Sequence, residues 1–387
     1  MLVAYRLRVR IAHITDCFAP RTGGIETQVR GLAERQALAG HDVRVITATP
    51  GSGDNRSASE IVSGVSIVRI AARMPFDAPV HPVTRSNVLR VLRRDRVDVV
   101  HVHAGAASPF AWGGLRAARQ ARIPVVVTVH SIWDAMTRGA FRILDRTAWG
   151  LGSGVVLTAV GSMAAERVGS ALHYPVRVLA NGIDPDEWRI TRVPTSPEQL
   201  RVVSVLRLVP RKRALPMIQI LHRAIEVSEG RIHATIIGDG PEAGRIERYI
   251  ERHRLSGAIG LTGRLAHSRI RAHFARSDVF LQASIRESFG IAALEARAAG
   301  LAVVSRSQAG TTDFVRDGVE GLLADDDAGL VDALLLLQQQ PQLREGITRH
   351  NFSVVPDQAW PSVLKAVDTA YANATANATA PSSRAFR

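Results

Sequence analysis

The strongest constraint on the fold of this chain is a repeated alternation. Short, nearly continuous runs of β-branched residues are separated by segments of helix length. LRVRIAHIT leads through a Gly-Gly loop to Ile25, Val29, Leu32 and Ala33 at helical spacing. Gly40 stands where a helix-ending glycine belongs, and DVRVITA follows as the next strand. VDVVHVHA, IPVVVTVH and GVVLTAV continue the rhythm. Strands this apolar along their whole length need cover on both faces, which a parallel sheet between two helical layers provides. Residues 1–185 therefore read as one doubly wound α/β domain of Rossmann-like type. The polar, proline-bearing NGIDPDEWRITRVPTSPEQL breaks the pattern and predicts a hinge over 186–200. LRVVSVL, RIHATIIG, AIGLTG, DVFLQAS, LAVVSR and EGLLA restart it as a second such domain over 201–355. AWPSVLKAVDTAYANA predicts a helix over 356–374 that returns toward the N-terminal domain. The Asn-Ala-Thr repeats beyond it predict a disordered tail over 375–387. Two open α/β sheets on a hinge are expected to face each other across a cleft, with ligands outside the strand carboxyl ends.

Composition narrows the class. The 387 residues are 46% hydrophobic and 22% charged, in the range of ordinary soluble domains. Apolar runs fall short of the roughly 20 residues of a membrane span. Arginines interrupt MLVAYRLRVRIAH too often for a signal-peptide core. The single cysteine, Cys17, allows no internal disulfide and fits a reducing, cytoplasmic setting. A net charge of +14 invites an anionic partner. Aromatic residues make up only 5%, with no basic-aromatic interleaving for base stacking, so nucleic acid is not expected.

Glu287 and Glu295, eight positions apart in SIRESFGIAALEARAAG, focus the chemistry. Eight helical residues rise about 12 Å, more than the roughly 5 to 9.5 Å between the carboxyls of a glycosidase dyad. A binding pair is the better reading. DVFLQAS predicts a buried strand, IRESFG its carboxyl-end loop, and IAALEARAAG a helix ended by Gly300. Ser288 is a candidate N-cap, and Gly290 permits close approach of a ligand to the backbone. The helix start offers free N–H groups to an anion. A carboxylate accepts two hydroxyl hydrogen bonds, which suits a vicinal diol.

ESFGIAALE resembles the Glu-x7-Glu signature of the family-4 retaining glycosyltransferases of GT-B fold. APRTGGIETQVRGLAERQALAGHDVRVIT, DVVHVHAG, VVVTVHS, NGID, RLVPRK, IIGDGPE, LTGR and DGVEGLLA follow in that family's order. The resemblance implies a hexosyltransferase that moves sugar from a UDP- or GDP-sugar to an acceptor hydroxyl. It assigns Gly23 and Gly24 to a loop near the donor diphosphate and sugar, unless they form only an ordinary strand-to-helix turn. Arg207 and Lys212 would clamp the diphosphate, where leaving-group charge develops. Gly238 and Gly240 would let the chain pass close to the nucleotide, and Gly263 and Arg264 would meet the base. Glu287 would hold hydroxyls of the transferred sugar. The amides of Ser288, Phe289, Gly290 and Ile291 would meet sugar and phosphate. Glu295 would hold the ribose, and His130 would reach the sugar near its reacting carbon.

Leu206 and Arg213 depart from the family pattern, which often has glycine before the Arg and after the Lys of RLVPRK. No Asp-x-Asp strand end and no His/Cys/Asp cluster at metal spacing occurs in the sequence, so no cofactor and no essential metal are expected. GDGPEAG lacks dinucleotide-fingerprint spacing, which argues against a dehydrogenase. A nucleotide-sugar epimerase, a phosphorylase and a non-catalytic nucleotide-sugar-binding protein remain alternatives. The acceptor stays open among a glycolipid, a polyol and a sugar, with a cell-envelope glycoconjugate as the product class. Its pocket is expected in loops around 50–60 and 131–145. Arg85, Arg90, Arg93, Arg94 and Arg96 lie around one helix. In the phosphatidylinositol mannosyltransferases of the resembled family, grouped there with inositol-phosphate glycosyltransferases, such a helix docks on anionic lipid. That adds peripheral contact with the inner membrane face to the expectations; a solvated helix face is the other reading.

Overall fold

The computed structural model describes residues 8–21, 23–51, 59–72, 81–144, 154–193 and 196–379. Two units emerge: Met1–Gly182 with Pro361–Arg387, and Ile183–Trp360.

The first unit is built on an eight-stranded sheet. Its strands are β1 (Arg10–Thr15), β2 (Asp42–Thr47), β3 (Ser59–Val62), β4 (Val65–Arg69), β5 (Val99–Ala104), β6 (Val125–Val129), β7 (Val155–Ala159) and β8 (Arg177–Val178). The order is β3-β4-β2-β1-β5-β6-β7-β8. All neighbours run parallel except the β3–β4 hairpin. Helices α1 (Gly24–Leu38), α2 (Thr84–Arg94), α3 (Pro109–Gln120), α4 (Ala135–Leu144) and α5 (Ser162–Leu172) connect them. β5 is buried at every position, as expected for a strand covered on both faces. The chain winds outward from β1 in one direction and from β5 in the other. The β1–β5 boundary is therefore the topological switch point, where open sheets of this kind take ligands.

The second unit opens with the short helix α6 (Pro185–Trp188), whose Trp188 is fully buried. Its strands are β9 (Leu200–Val205), β10 (Ile232–Ile237), β11 (Ile259–Leu261), β12 (Val279–Gln282), β13 (Ala302–Arg306) and β14 (Gly321–Ala324). They form an all-parallel sheet in the order β11-β10-β9-β12-β13-β14. Helices α7 (Ala214–Val227), α8 (Ala243–Arg252), α9 (His267–Phe274), α10 (Ile291–Ala298), α11 (Asp327–Gln339) and α12 (Pro341–Ser353) complete the unit. The switch point here falls between β9 and β12.

The last helix, α13 (Trp360–Thr379), belongs to the first unit from Pro361 onward. It runs past the expected end at 374, so residues 375–379 are helical rather than disordered. Thr375 and Thr379 bond back to the carbonyls of Tyr371 and Thr375, which lets the Asn-Ala-Thr repeat continue the helix. Residues 380–387 of the expected tail lie outside the described residues.

Other boundaries differ from expectation. The units divide at Gly182, four residues before the expected hinge, because the buried Trp188 ties α6 into the second unit. Residues 59–60 and 135–144, expected in loops, belong to β3 and α4. Residues 52–58 lie outside the described residues.

Candidate functional site

In the second unit, the loops after β9 and β12 flank the switch point and bring two expected site residues into contact. Lys212 Nζ lies 2.5 Å from Glu287 Oε2, and both side chains are largely buried. Ser284 Oγ donates to the Lys212 carbonyl at 2.8 Å, and Gly310 N donates to the Glu287 carbonyl at 2.9 Å, so both loops are fixed. Arg207, on the same β9 loop, is exposed and has no carboxylate partner among the described residues.

The helix after the β12 loop starts at Ile291. Its N-cap is Gly290, at φ 93 and ψ 57, and no side chain caps it. This corrects the expectation for Ser288. The chain turns left-handed at Gly290 directly before the helix, and glycine accepts that conformation without steric cost. Space is also tight at this position. A Cβ here would lie 2.9 Å from Thr311 Cγ2 and 3.2 Å from Gln282 Nε2. That Gln282 nitrogen is buried with no hydrogen-bond partner in the protein, so an uncapped helix start and an unused amide donor adjoin. Phe289 is buried against Phe314, ring centroids 5.3 Å apart, and anchors the loop.

Gly238 and Gly240 serve a neighbour that the sequence did not reveal. A Cβ at Gly238 would meet Leu206 O at 1.8 Å, and one at Gly240 would meet Leu208 O at 2.4 Å. These glycines let the β10 loop lie against the β9 loop on either side of Arg207. Gly238 N also donates to Gly263 O at 2.9 Å, tying in the loop after β11, where Arg264 is exposed.

Glu295, inside α10, has His267 as its polar partner, with Nε2 3.7 Å from Oε1. Burial pushes the Glu295 carboxyl up, and the imidazole only partly offsets this. The contact with Glu295 in turn raises His267, which also packs edge-on against Trp188, ring centroids 4.4 Å apart.

The first unit carries its own polar row. His13 on β1 and His101 on β5 are register partners, as are His103 on β5 and Thr128 on β6. His130 stands directly beyond β6 at the carboxyl edge. The contacts are His13 Nδ1 to His103 Nε2 at 2.9 Å and His103 Nδ1 to His130 Nε2 at 3.1 Å. Gln36 and Tyr371, from α1 and α13, close the far side. Burial lowers His13 and His130 to about 4 and drives His101 and His103 well below their ordinary value, so the row is neutral at pH 7. His13, His101 and His103 bring ring nitrogens within 4.8 Å of one another, a spacing a metal could use. All six of those nitrogens already have hydrogen-bond partners, so the cluster fits a hydrogen-bond network better than a ligand set.

Asp16, just after β1, receives Phe110 N at 3.0 Å and Ala111 N at 3.2 Å from the start of α3. Burial raises its carboxyl to about 6, against the pull of these N–H groups. Gly23 is the N-cap of α1 in extended backbone, and Gly24 is the helix's first residue. A cavity of about 350 Å³ in this unit is lined by Phe18, Pro20, Glu34, Glu60 and Arg69, among others, and by none of the expected site residues.

Two family models match in succession: Glycosyltransferase Family 4 over residues 22–187 and Glycosyl transferases group 1 over residues 186–352. The chain is a family-4-type glycosyltransferase with the GT-B fold. Relatives include a phosphatidylinositol N-acetylglucosaminyltransferase of Arabidopsis thaliana, 28% identical over 334 residues. That match covers 84% of this chain and 74% of the relative. Glycogen synthase of Mycobacterium tuberculosis strain H37Rv is 29% identical over 385 residues, covering 90% and 91%. Among solved structures, Anabaena Alr3699/HepE in complex with UDP superposes with a TM-score of 0.72 at 18% identity, covering 94% of this chain and 100% of that one.

Within this glycosyltransferase, Lys212 and Glu287 are in direct contact. Gly238, Gly240 and Gly263 join three loops at one sheet edge, and Gly290 and Ile291 form the helix start. Gln282, His267, Asp16 and the residues behind His130 were not singled out from sequence. Arg85, Arg90, Arg93, Arg94 and Arg96 are all exposed on or just after α2, and Arg94 pairs with Asp95. No helix among the described residues is long and apolar enough to cross a membrane.

Proposed function

We propose that this glycosyltransferase moves a hexosyl group from a nucleoside-diphosphate sugar, UDP- or GDP-linked, to an acceptor hydroxyl, with retention and without an essential metal. The observation that carries the reading is the Lys212–Glu287 contact at the β9–β12 switch point, beside an uncapped helix start. Lys212, with Arg207 on the same loop, offers cations to a diphosphate. The N–H groups at the start of α10 and the unused Gln282 amide offer donors to its oxygens. Glu287 then turns from Lys212 toward sugar hydroxyls, and Glu295 takes the ribose in place of His267. His130, in the first unit, is assigned to the transferred sugar. With the chain's own cations neutralising the leaving group, no divalent ion is required. UDP in the HepE structure, and a phosphatidylinositol substrate in the name of the plant relative, favour a uridine donor and a lipid-linked acceptor. The exposed arginines of α2 would then bring the enzyme to anionic lipid at the inner membrane face.

Thermal-shift measurements with UDP, GDP, ADP and NAD, each with and without Mg²⁺, test the donor site. Ligand binding to the folded state raises the melting temperature according to affinity. A shift with one nucleoside diphosphate that survives EDTA is expected. A shift with NAD alone, or with none of the four, contradicts the reading. The anomeric configuration of the product, followed by NMR, tests retention.

A further inference from the structure

The polar row of the first unit has a direction. The carbonyl of Val127 can only accept, so Thr158 donates to it at 3.0 Å. Thr158 Oγ1 then accepts from the Thr128 hydroxyl at 2.7 Å, and Thr128 accepts from Nε2–H of His101 at 2.7 Å. His101, being neutral, keeps a lone pair on Nδ1 and accepts from the Tyr371 hydroxyl at 3.0 Å. The Tyr371 oxygen accepts from Gln36 Nε2 at 3.2 Å, which leaves Gln36 Oε1 for the Nε2–H of His13 at 2.7 Å. His13 Nδ1 must now accept from His103 Nε2, and His103 Nδ1 from His130 Nε2. With every proton reversed, Thr158 would donate to Thr128 and its bond to the Val127 carbonyl would be unmade. One direction satisfies every member, which is what a buried network requires.

We propose that Tyr371, Gln36, His13 and His103 are positioning residues that hold His130 in a single tautomer, with its proton on Nε2 and a lone pair on Nδ1 for a substrate hydroxyl. The proposal rests on the reading that places His130 against the transferred sugar. It makes His130 an acceptor at that point. A sugar hydroxyl donates to it, whereas a fluorine or carbonyl in the same place would bring lone pair against lone pair.

Nitrogen NMR of the intact chain with ¹⁵N-labelled histidine, assigned with His130→Asn, reads the tautomer directly. At pH 7 the expected result is a bare Nδ1 and a protonated Nε2 at His130. A protonated Nδ1, or an averaged pair, overturns the proposal. Gln36→Leu removes the acceptor for His13. An orphaned buried N–H is rarer than a bare acceptor, so the row should reverse and place the His130 proton on Nδ1, with turnover falling about tenfold or more. An unchanged tautomer in this variant overturns the relay. A reversed tautomer with unchanged turnover supports the relay and instead removes His130 from the sugar. Should Gln36→Leu fail to fold, the measurement on the intact chain still decides.

Discussion

Lys212 and Glu287 meet at 2.5 Å although they lie on different loops, 75 positions apart in the chain. Each is the other's counter-charge at the edge of the sheet. A donor that engages both must replace a contact already made. The two glutamates of the motif should therefore respond differently. Glu287→Ala should lower kcat about 10²-fold, as loss of an interaction made at the reacting sugar does. Glu295→Ala should weaken donor binding by roughly 1.5–3 kcal/mol with a smaller effect on kcat. Steady-state kinetics with donor titration separates them. Small and equal effects would remove both from the donor site.

Arg213 stands where the resembled family often has glycine, and its backbone shows why. It sits at φ 55 and ψ 42, the left-handed region, with its guanidinium 2.5 Å from Asp327. That conformation costs a non-glycine residue about 1–2 kcal/mol, while a half-exposed ion pair returns about 0–1 kcal/mol. Arg213→Gly should be neutral or slightly stabilising, and Arg213→Ala should be about 1 kcal/mol less stable than the glycine variant. Urea unfolding of the two variants checks this; equal stability would show that the backbone is unstrained there.

Glu320 is a buried hub. Arg316, His350 and Arg297 reach it at 2.6, 3.1 and 3.4 Å, and Arg297 is itself buried. Burial alone would push its carboxyl up, but the Arg316 side chain and N–H, with the Arg297 charge, hold it at about 2. Glu320→Gln leaves Arg297 without its counter-charge and should destabilise the protein by about 3–5 kcal/mol. In the parent, this carboxylate's contribution is complete above about pH 4.5 and is lost as pH falls toward 2. Denaturant midpoints across that window should be flatter in the variant.

Asp16 has the opposite sign. Its folded carboxyl keeps a proton up to about pH 6, above the ordinary 3.8. Its contribution to stability is therefore complete below about pH 4 and is lost as pH rises to about 6, by about 3 kcal/mol. Asp16→Asn should remove this slope. Parallel pH profiles of the two proteins between 4 and 7 would show that the N–H groups of Phe110 and Ala111 outweigh burial.

The fold was legible because apolar strands alternate with helix-length segments, a pattern carried by local composition. Lys212 and Glu287 were legible through motifs that each lie within a few residues. The N-cap falls at Gly290 and not at Ser288, since a serine before a helical run and a glycine in a left-handed turn give competing local signals. Gly238 and Gly240 announced a close approach, but not that the neighbour was the backbone of Leu206 and Leu208. The histidine row stayed hidden for another reason. His13 and His103 are 90 positions apart and His101 and Tyr371 are 270 apart, so only sheet register and the last helix bring them together. The one local trace was HVH, two polar residues at alternate positions in a strand otherwise wholly apolar.

The last helix completes the first unit with residues made after the whole of the second. On a ribosome adding about 5–20 residues per second, the 189 positions from Gly182 to Tyr371 take roughly 10–40 s. During that interval His101 and Gln36 lack the phenol that joins them, while the intervening unit is free to finish. The nascent chain thus matures from the middle outward, and its oldest segment is the last to acquire its full set of partners.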